Sequence, residues 1–136
     1  MAREREAEAL VIDLMANDPI VVAAELPVAN VAEVLSDYDI GGLPVVDSRG
    51  HLIGVISQTD LLAHWASAGR SSDADTVLAR DVMTQPPVTI PGSASLREAA
   101  QLMAERHVAR LVVVGDDPDI PLGLISDSDL MRAFPH

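Results

Sequence analysis

The chain has no cysteine and no lysine, and one residue each of Trp, Tyr and Phe. Without cysteine, disulfides and thiolate metal sites are excluded, although the absence says nothing about redox compartment. Aromatics make up 2% of the residues while hydrophobic residues make up 49%. The core must therefore be built from Val, Ile, Leu, Ala and Met, a composition suited to strands alternating with helices. All positive charge is arginine, and the formal net charge is -12. That balance opposes binding to a polyanion, because nucleic-acid-binding proteins present a basic face. A small anionic ligand needs only one or two local arginines and some backbone N–H groups. No apolar run is long enough to span a bilayer. The charged stretch Met1 to Glu8 is followed by no apolar h-region of the kind a secretory signal carries. The expected setting is cytoplasmic, with no membrane and no nucleic acid among the partners. The four histidines show no zinc spacing, and neither a glycine-rich phosphate loop nor a Gly-x-Ser-x-Gly elbow occurs.

What the sequence does hold is a repeat of itself. Asp13-Leu14-Met15 matches Asp81-Val82-Met83 at an offset of 68, which also pairs Pro19 with Pro87, Val28 with Leu96, Leu35 with Met103 and Leu43–Val46 with Leu111–Val114. After the next turn the offset becomes 69, and Gly54–Leu62 falls on Gly123–Met131. The extra residue lies in the turn Asp116-Asp117-Pro118-Asp119. A register held this long marks a true internal duplication. The boundaries read as a first repeat at 8–66, a linker at 67–75 that is small and polar, and a second repeat at 76–136.

Each repeat reads as the same string of elements. In the second, Val88–Ile90 is a short strand, and Ser95 with Glu98 forms a capping box for a helix carrying Leu96, Ala99, Ala100 and Met103. Leu111–Val114 is a buried strand, Leu122–Ile125 its hairpin partner, and a last helix starts near Ser126. In the first, Ile20–Val22 is the short strand and Pro27 sits in the first turn of its helix. Leu43–Val46 and Leu52–Ile56 form a hairpin, and a helix runs from about Thr59 to Trp65. Ala2–Leu14 reads as a helix leading in. Each half alone would bury only about 60% of its unfolded surface. Two halves sharing a core predict pseudo-twofold symmetry, with sheets packed together and clefts where equivalent motifs meet.

Two β-α-β-β-α repeats, each opening with Asp-h-Met and closing with G-h-h-[ST]-x-x-D, resemble the CBS domain, and the tandem pair resembles a Bateman module covering 1–136. Leu43-Pro44-Val45-Val46-Asp47 is typical of that family. The resemblance implies an α/β (α+β) fold and a regulatory module binding AMP, ADP, ATP or S-adenosylmethionine, with no obligatory cofactor and no catalysis of its own. It also implies a homodimer and an effector protein that reads the ligand.

The residues that would carry binding follow from chemistry and from the resemblance. Ser57, Thr59 and Asp60, with Ser126, Ser128 and Asp129, stand where a strand gives way to a helix. There, unpaired N–H groups and hydroxyls suit a phosphate. By resemblance, Asp60 and Asp129 are ribose binders, and the Ser and Thr residues phosphate binders. The same spacing also satisfies the capping box, in which the acids simply start helices. Arg110, aligned with Gly42, is implied to reach phosphate, an anion well matched to its fork; the alternative is a solvated arginine placed at a helix end by the dipole. That favours the second-repeat site and leaves the first empty or holding a ligand with less phosphate. An apolar slot for the base draws on Ile20, Val21 and Val22, and on Val88, Thr89 and Ile90. The clustered aspartates at 116–119 and 127–129 admit a bridging Mg²⁺ or plain solvated turns. The competing functions are a ligand-free dimerisation or scaffold module and, much less favoured, a metal-assisted phosphohydrolase.

Overall fold

Apolar spacing places the longer helices. A computed structural model describes residues 9–17, 19–68 and 77–134. Within them the order is α1 (Val11–Leu14), β1 (Ala16–Asn17), β2 (Val22–Ala23), α2 (Val28–Tyr38), β3 (Gly42–Val46), β4 (Leu52–Ser57), α3 (Gln58–Ala68), α4 (Ala79–Val82), β5 (Thr89–Pro91), α5 (Leu96–Arg106), β6 (Arg110–Val114), β7 (Pro121–Ser126) and α6 (Asp127–Ala133). Helix α2 buries Val28, Val31 and Leu35, and α5 buries Leu96, Ala99 and Met103, one apolar stripe each. Both stop in the same way. Asp39 (φ 52°) and His107 (φ 55°) adopt the left-handed conformation and return their N–H groups to the last turn.

The chain forms two compact units. One comprises Ile20–Pro87, and the other joins the chain up to Pro19 with the chain from Val88 onward. The first holds a three-stranded sheet in the order β2-β3-β4, and the second a four-stranded sheet in the order β1-β7-β6-β5. In each, a short strand runs parallel to the middle strand, which pairs antiparallel with the last (β2/β3/β4 and β5/β6/β7). The middle strands are continuous apolar runs, as strands covered on both faces are. Leu43, Val45, Leu111, Val112 and Val113 are at most 1% exposed. The second hairpin turn spans 115–120 against 47–51 in the first, which accommodates the residue that changes the repeat offset.

The lead-in helices are exchanged relative to the sequence halves. Helix α1 belongs to the unit built on the second repeat, and α4 to the unit built on the first. The docking bonds are equivalent. Val11 and Ile12 donate their N–H groups to the carbonyls of Ala94 (2.8 Å) and Gly92 (3.0 Å), while Ala79 and Arg80 donate to Leu26 (2.8 Å) and Ala24 (3.0 Å). Val11 and Ala79 are fully buried. The Asp-h-Met motif has its reason here. Asp13 accepts the Leu10 N–H (3.2 Å) and Asp81 the Leu78 N–H (2.9 Å), closing the start of each one-turn helix. The repeat in sequence and the compact unit in space are therefore cut at different places.

Several sequence expectations shift. The short strands lie further along, at Val22–Ala23 and Thr89–Pro91. Pro27 is the N-cap residue of α2, not part of its first turn. Ser95 caps α5 by accepting the Glu98 N–H at 3.0 Å, without the return half of the box. Helix α3 continues to Ala68 and so overlaps the expected linker, because Ala66-Ser67-Ala68 contains no breaker. The rest of that linker, 69–75, and the expected lead-in helix over 2–8 lie outside the described residues. The described part of the lead-in is helical only over Val11–Leu14.

The first hairpin turn carries a titratable brace. The Asp47 carboxylate accepts the N–H groups of Arg49 and His51, both at 2.9 Å, and Gly50 follows at φ 80°, a conformation that suits glycine. The bond from the His51 N–H is the main cause that holds the Asp47 carboxyl below the ordinary aspartate range. A lowered folded-state pKa means stability that is present above the unfolded value and lost as pH falls through the folded one. The melting temperature of the wild type should exceed that of Asp47→Asn at neutral pH. The difference should shrink toward zero below about pH 4; a gap that stays constant from pH 7 to 3 would remove the charge from the account.

Candidate functional site

The end of each sheet where the middle strand begins and the last strand finishes collects the residues singled out in the sequence. In the unit Ile20–Pro87, Gly42 opens β3 opposite Ser57, the last residue of β4. Val22 pairs with Val45 in parallel, so Val21 lies toward the same end. In the other unit, Arg110 opens β6 opposite Ser126, and Thr89 opens β5 opposite Val112. Helices α3 and α6 leave from these ends and carry Thr59 and Asp60, and Ser128 and Asp129. Sequence-distant residues thus meet because a parallel strand and a hairpin share one edge of the sheet.

Both acids close capping boxes. Asp60 Oδ2 accepts the Ser57 N–H (2.9 Å) and the Ser57 hydroxyl (3.0 Å), and the Asp60 N–H returns to Ser57 Oγ (3.2 Å). Asp129 Oδ2 accepts the Ser126 N–H (2.9 Å), and the Asp129 N–H returns to Ser126 Oγ (3.2 Å). One carboxylate oxygen in each unit is therefore committed to the backbone. The other, Oδ1, meets a different partner in each. Thr84 Oγ1 donates to Asp60 at 3.2 Å, and the Arg132 guanidinium donates to Asp129 at 2.6 Å.

The free N–H groups expected at the helix starts are largely taken. Gln58 donates to the Gly41 carbonyl (2.9 Å) and Asp127 to the Ala109 carbonyl (2.7 Å). The Ser128 N–H turns onto Asp127 Oδ1 at 2.8 Å. A phosphate here would depend on the exposed hydroxyls of Thr59 and Ser128 and on Arg110, which is half-buried. Among the described residues the ion pairs are Arg80–Glu25 (3.9 Å) and Arg132–Asp129, and Arg110 is in neither. Of the residues considered for an apolar slot, Val22 and Ile90 belong to the buried clusters. Val21, 39% exposed, and the half-buried Thr89 remain available. No three acidic or histidine side chains converge as a metal site among the described residues, the aspartates at 116–119 and 127–129 included.

Sequence reasoning missed Thr84 and Arg132. It also missed a groove of about 340 Å³ in the unit Ile20–Pro87, lined between α2 and α3 by Leu35, Leu61, Leu62 and Trp65 among others. None of the residues proposed from sequence lines it.

The profile of the CBS domain matches residues 11–67 and again 79–136. The chain belongs to the CBS domain family. The two matches together cover nearly all of the described residues, and no helix among them is long and apolar enough to cross a membrane. The CBS domain pair of protein MJ0100, solved with 5′-methylthioadenosine and S-adenosyl-L-methionine, shares the fold at a TM-score of 0.80 and 24% identity, over 91% of this chain and 94% of that one. CBSX2, a CBS-pair protein of Arabidopsis thaliana, was solved in complex with AMP. It is similar at 31% identity and a TM-score of 0.77, over 92% of this chain and 95% of that one. Inosine-5′-monophosphate dehydrogenase of Bifidobacterium longum is 33% identical over 87% of this chain but only 21% of its own length. The chain spans 59% of an uncharacterized protein of Methanopyrus kandleri, 28% identical to it, and about a quarter or less of the inosine-5′-monophosphate dehydrogenases it resembles. The matched stretch accounts for a minority of the dehydrogenase's own length.

Proposed function

We propose that this CBS pair is a regulatory module that binds an adenosyl ligand, AMP foremost, and passes the occupancy to a partner protein. The observation that carries the reading is the AMP complex of CBSX2, whose likeness spans almost the whole of both chains above 30% identity. In this reading Asp60 and Asp129 accept the ribose hydroxyls. Thr59, Ser128 and Arg110 meet phosphate, Ser57 and Ser126 hold the acids in place, and Val21 and Thr89 border the base. The module has no catalysis of its own, forms a homodimer in the cytoplasm, and signals because one of its conformations binds ligand more tightly than the other.

A thermal-shift panel of AMP, ADP, ATP, S-adenosylmethionine and NAD, with and without Mg²⁺, tests this. A ligand at about 100 times its dissociation constant adds about 2.7 kcal/mol, several degrees in melting temperature. Arg110→Ala should weaken AMP by at least about tenfold, the scale of a charged hydrogen bond, with the unliganded melting point unchanged. Asp129→Ala should weaken binding and also lower stability by about 1 kcal/mol, because it removes the return half of the capping box and leaves the Ser126 N–H without its carboxylate. The prior engagement of both acids in capping boxes favours a second reading, a ligand-free dimerisation or scaffold module. The absence of any shift at millimolar ligand would overturn the first reading and leave the second, whose own measurement is the oligomeric state in solution.

A further inference from the structure

The two strand ends are alike in backbone and unlike in charge. Around Asp60 the segments 41–43 and 57–63 carry no other ionisable side chain, whereas 109–111 and 126–132 carry Arg110, Asp127, Asp129 and Arg132. Arg132 aligns with Ala63 and Arg110 with Gly42. The outer oxygen of Asp60 is held by the neutral hydroxyl of Thr84, and the outer oxygen of Asp129 by the Arg132 guanidinium, whose side chain is 72% exposed. The position matching Thr84 is Ala16, which has no hydroxyl to offer.

We infer that Arg132 makes the second-repeat site selective for phosphorylated adenosyl ligands, while the first-repeat site, lacking it, accepts neutral or cationic ones. The inference rests on the ribose role of the two aspartates proposed above. A ribose diol must take Oδ1 from the group already there. Thr84 gives way easily, because a hydroxyl can turn and accept from the incoming sugar. Displacing Arg132 breaks a charge-assisted bond and sets loose a cation. That cation regains a partner only when the ligand brings an anion, and a phosphate offers oxygens matched to its fork. An unphosphorylated nucleoside pays the displacement without the return. At the first-repeat end no guanidinium has to be displaced from Asp60, so no such condition is set, and without an arginine at positions 42 and 63 a phosphate gains no partner there.

The test isolates the second-repeat site in an Asp60→Ala background and compares AMP with adenosine by calorimetry, with and without Arg132→Ala. A melting curve of each protein shows that it is folded, and Asp60→Asn replaces Asp60→Ala if the cap proves indispensable. Removing Arg132 should weaken AMP by about tenfold and tighten adenosine by up to about fivefold, since an exposed ion pair is worth little. The preference for AMP over adenosine therefore falls by about tenfold to fiftyfold, and what is left is the share of Arg110. An unchanged ratio overturns the inference, as does loss of all AMP binding in the Asp60→Ala background when the wild type still binds. A wild type that binds neither compound overturns the adenosyl-ligand reading itself.

Discussion

Leu43→Ala destabilises the protein by about 4 kcal/mol, near the top of the range for a leucine truncated in a core. Leu43 is 1% exposed in the middle strand β3, where its register partner is Ile56. Its buried cluster contains the β-branched Val22, Val28, Val31, Val45 and Ile56. These β-branched side chains are stiff at χ1 and cannot swing into the space left behind, so most of the cavity persists. The equivalent Leu111 is fully buried opposite Ile125, but its cluster includes Met103. Methionine is unbranched and refills irregular gaps, so Leu111→Ala should cost less, about 3 kcal/mol. The two leucines sit in separate buried clusters, and their costs should add in the double variant. Urea unfolding of the three variants measures this. A larger loss for Leu111→Ala than for Leu43→Ala would show that flexibility of the lining does not govern the collapse.

Gly54→Ala should lower stability by about 2 kcal/mol, roughly 6–10 °C in melting temperature, although it adds a single methyl group. A Cβ at this position would stand 2.6 Å from Met83 Sδ and 2.9 Å from the Thr84 carbonyl oxygen. The sulfur ends a flexible chain and can retreat, but the carbonyl cannot retreat freely. It accepts the Val55 N–H at 3.0 Å, and the Thr84 N–H donates back to Val55 at 2.8 Å. Relief of the clash therefore stretches the pair that docks the lead-in segment and draws the Thr84 hydroxyl away from Asp60. A scanning-calorimetry midpoint within 1–2 °C of the wild type, roughly the effect of a neutral surface change, would mean that the segment yields without cost.

The glycine that opens the closing motif was legible in the sequence as a motif position, but its physical reason was not. That reason lies in residues 83 and 84, which no local pattern ties to it. The duplication was legible because core positions recur in both copies. The hairpins and the capping pairs Ser57/Asp60 and Ser126/Asp129 were legible because their chemistry is local. The exchange of lead-in helices was not. The carbonyls of Ala24 and Leu26 and those of Gly92 and Ala94 offer the same pair of acceptors, so a four-residue helix finds equal reception on either body and the sequence contains no cue to the choice. The Thr84–Asp60 bond spans 24 residues and was hidden for the same reason. Asp129 and Arg132 do stand at i,i+3, a spacing at which helical side chains meet. Read alone, that pair is an ordinary surface pairing, and only the alignment with Ala63 and the occupied carboxylate oxygen give it a consequence.

The exchange also orders events on the ribosome. The unit Ile20–Pro87 is one unbroken stretch and has every one of its own partners as soon as Pro87 has emerged. The segment containing α1 and β1 is made before that unit, yet its acceptors at Gly92 and Ala94 and its partner strand β7 are made after it. It therefore cannot make those contacts until residues beyond Pro87 have been made, by which time the unit Ile20–Pro87 already has all of its own.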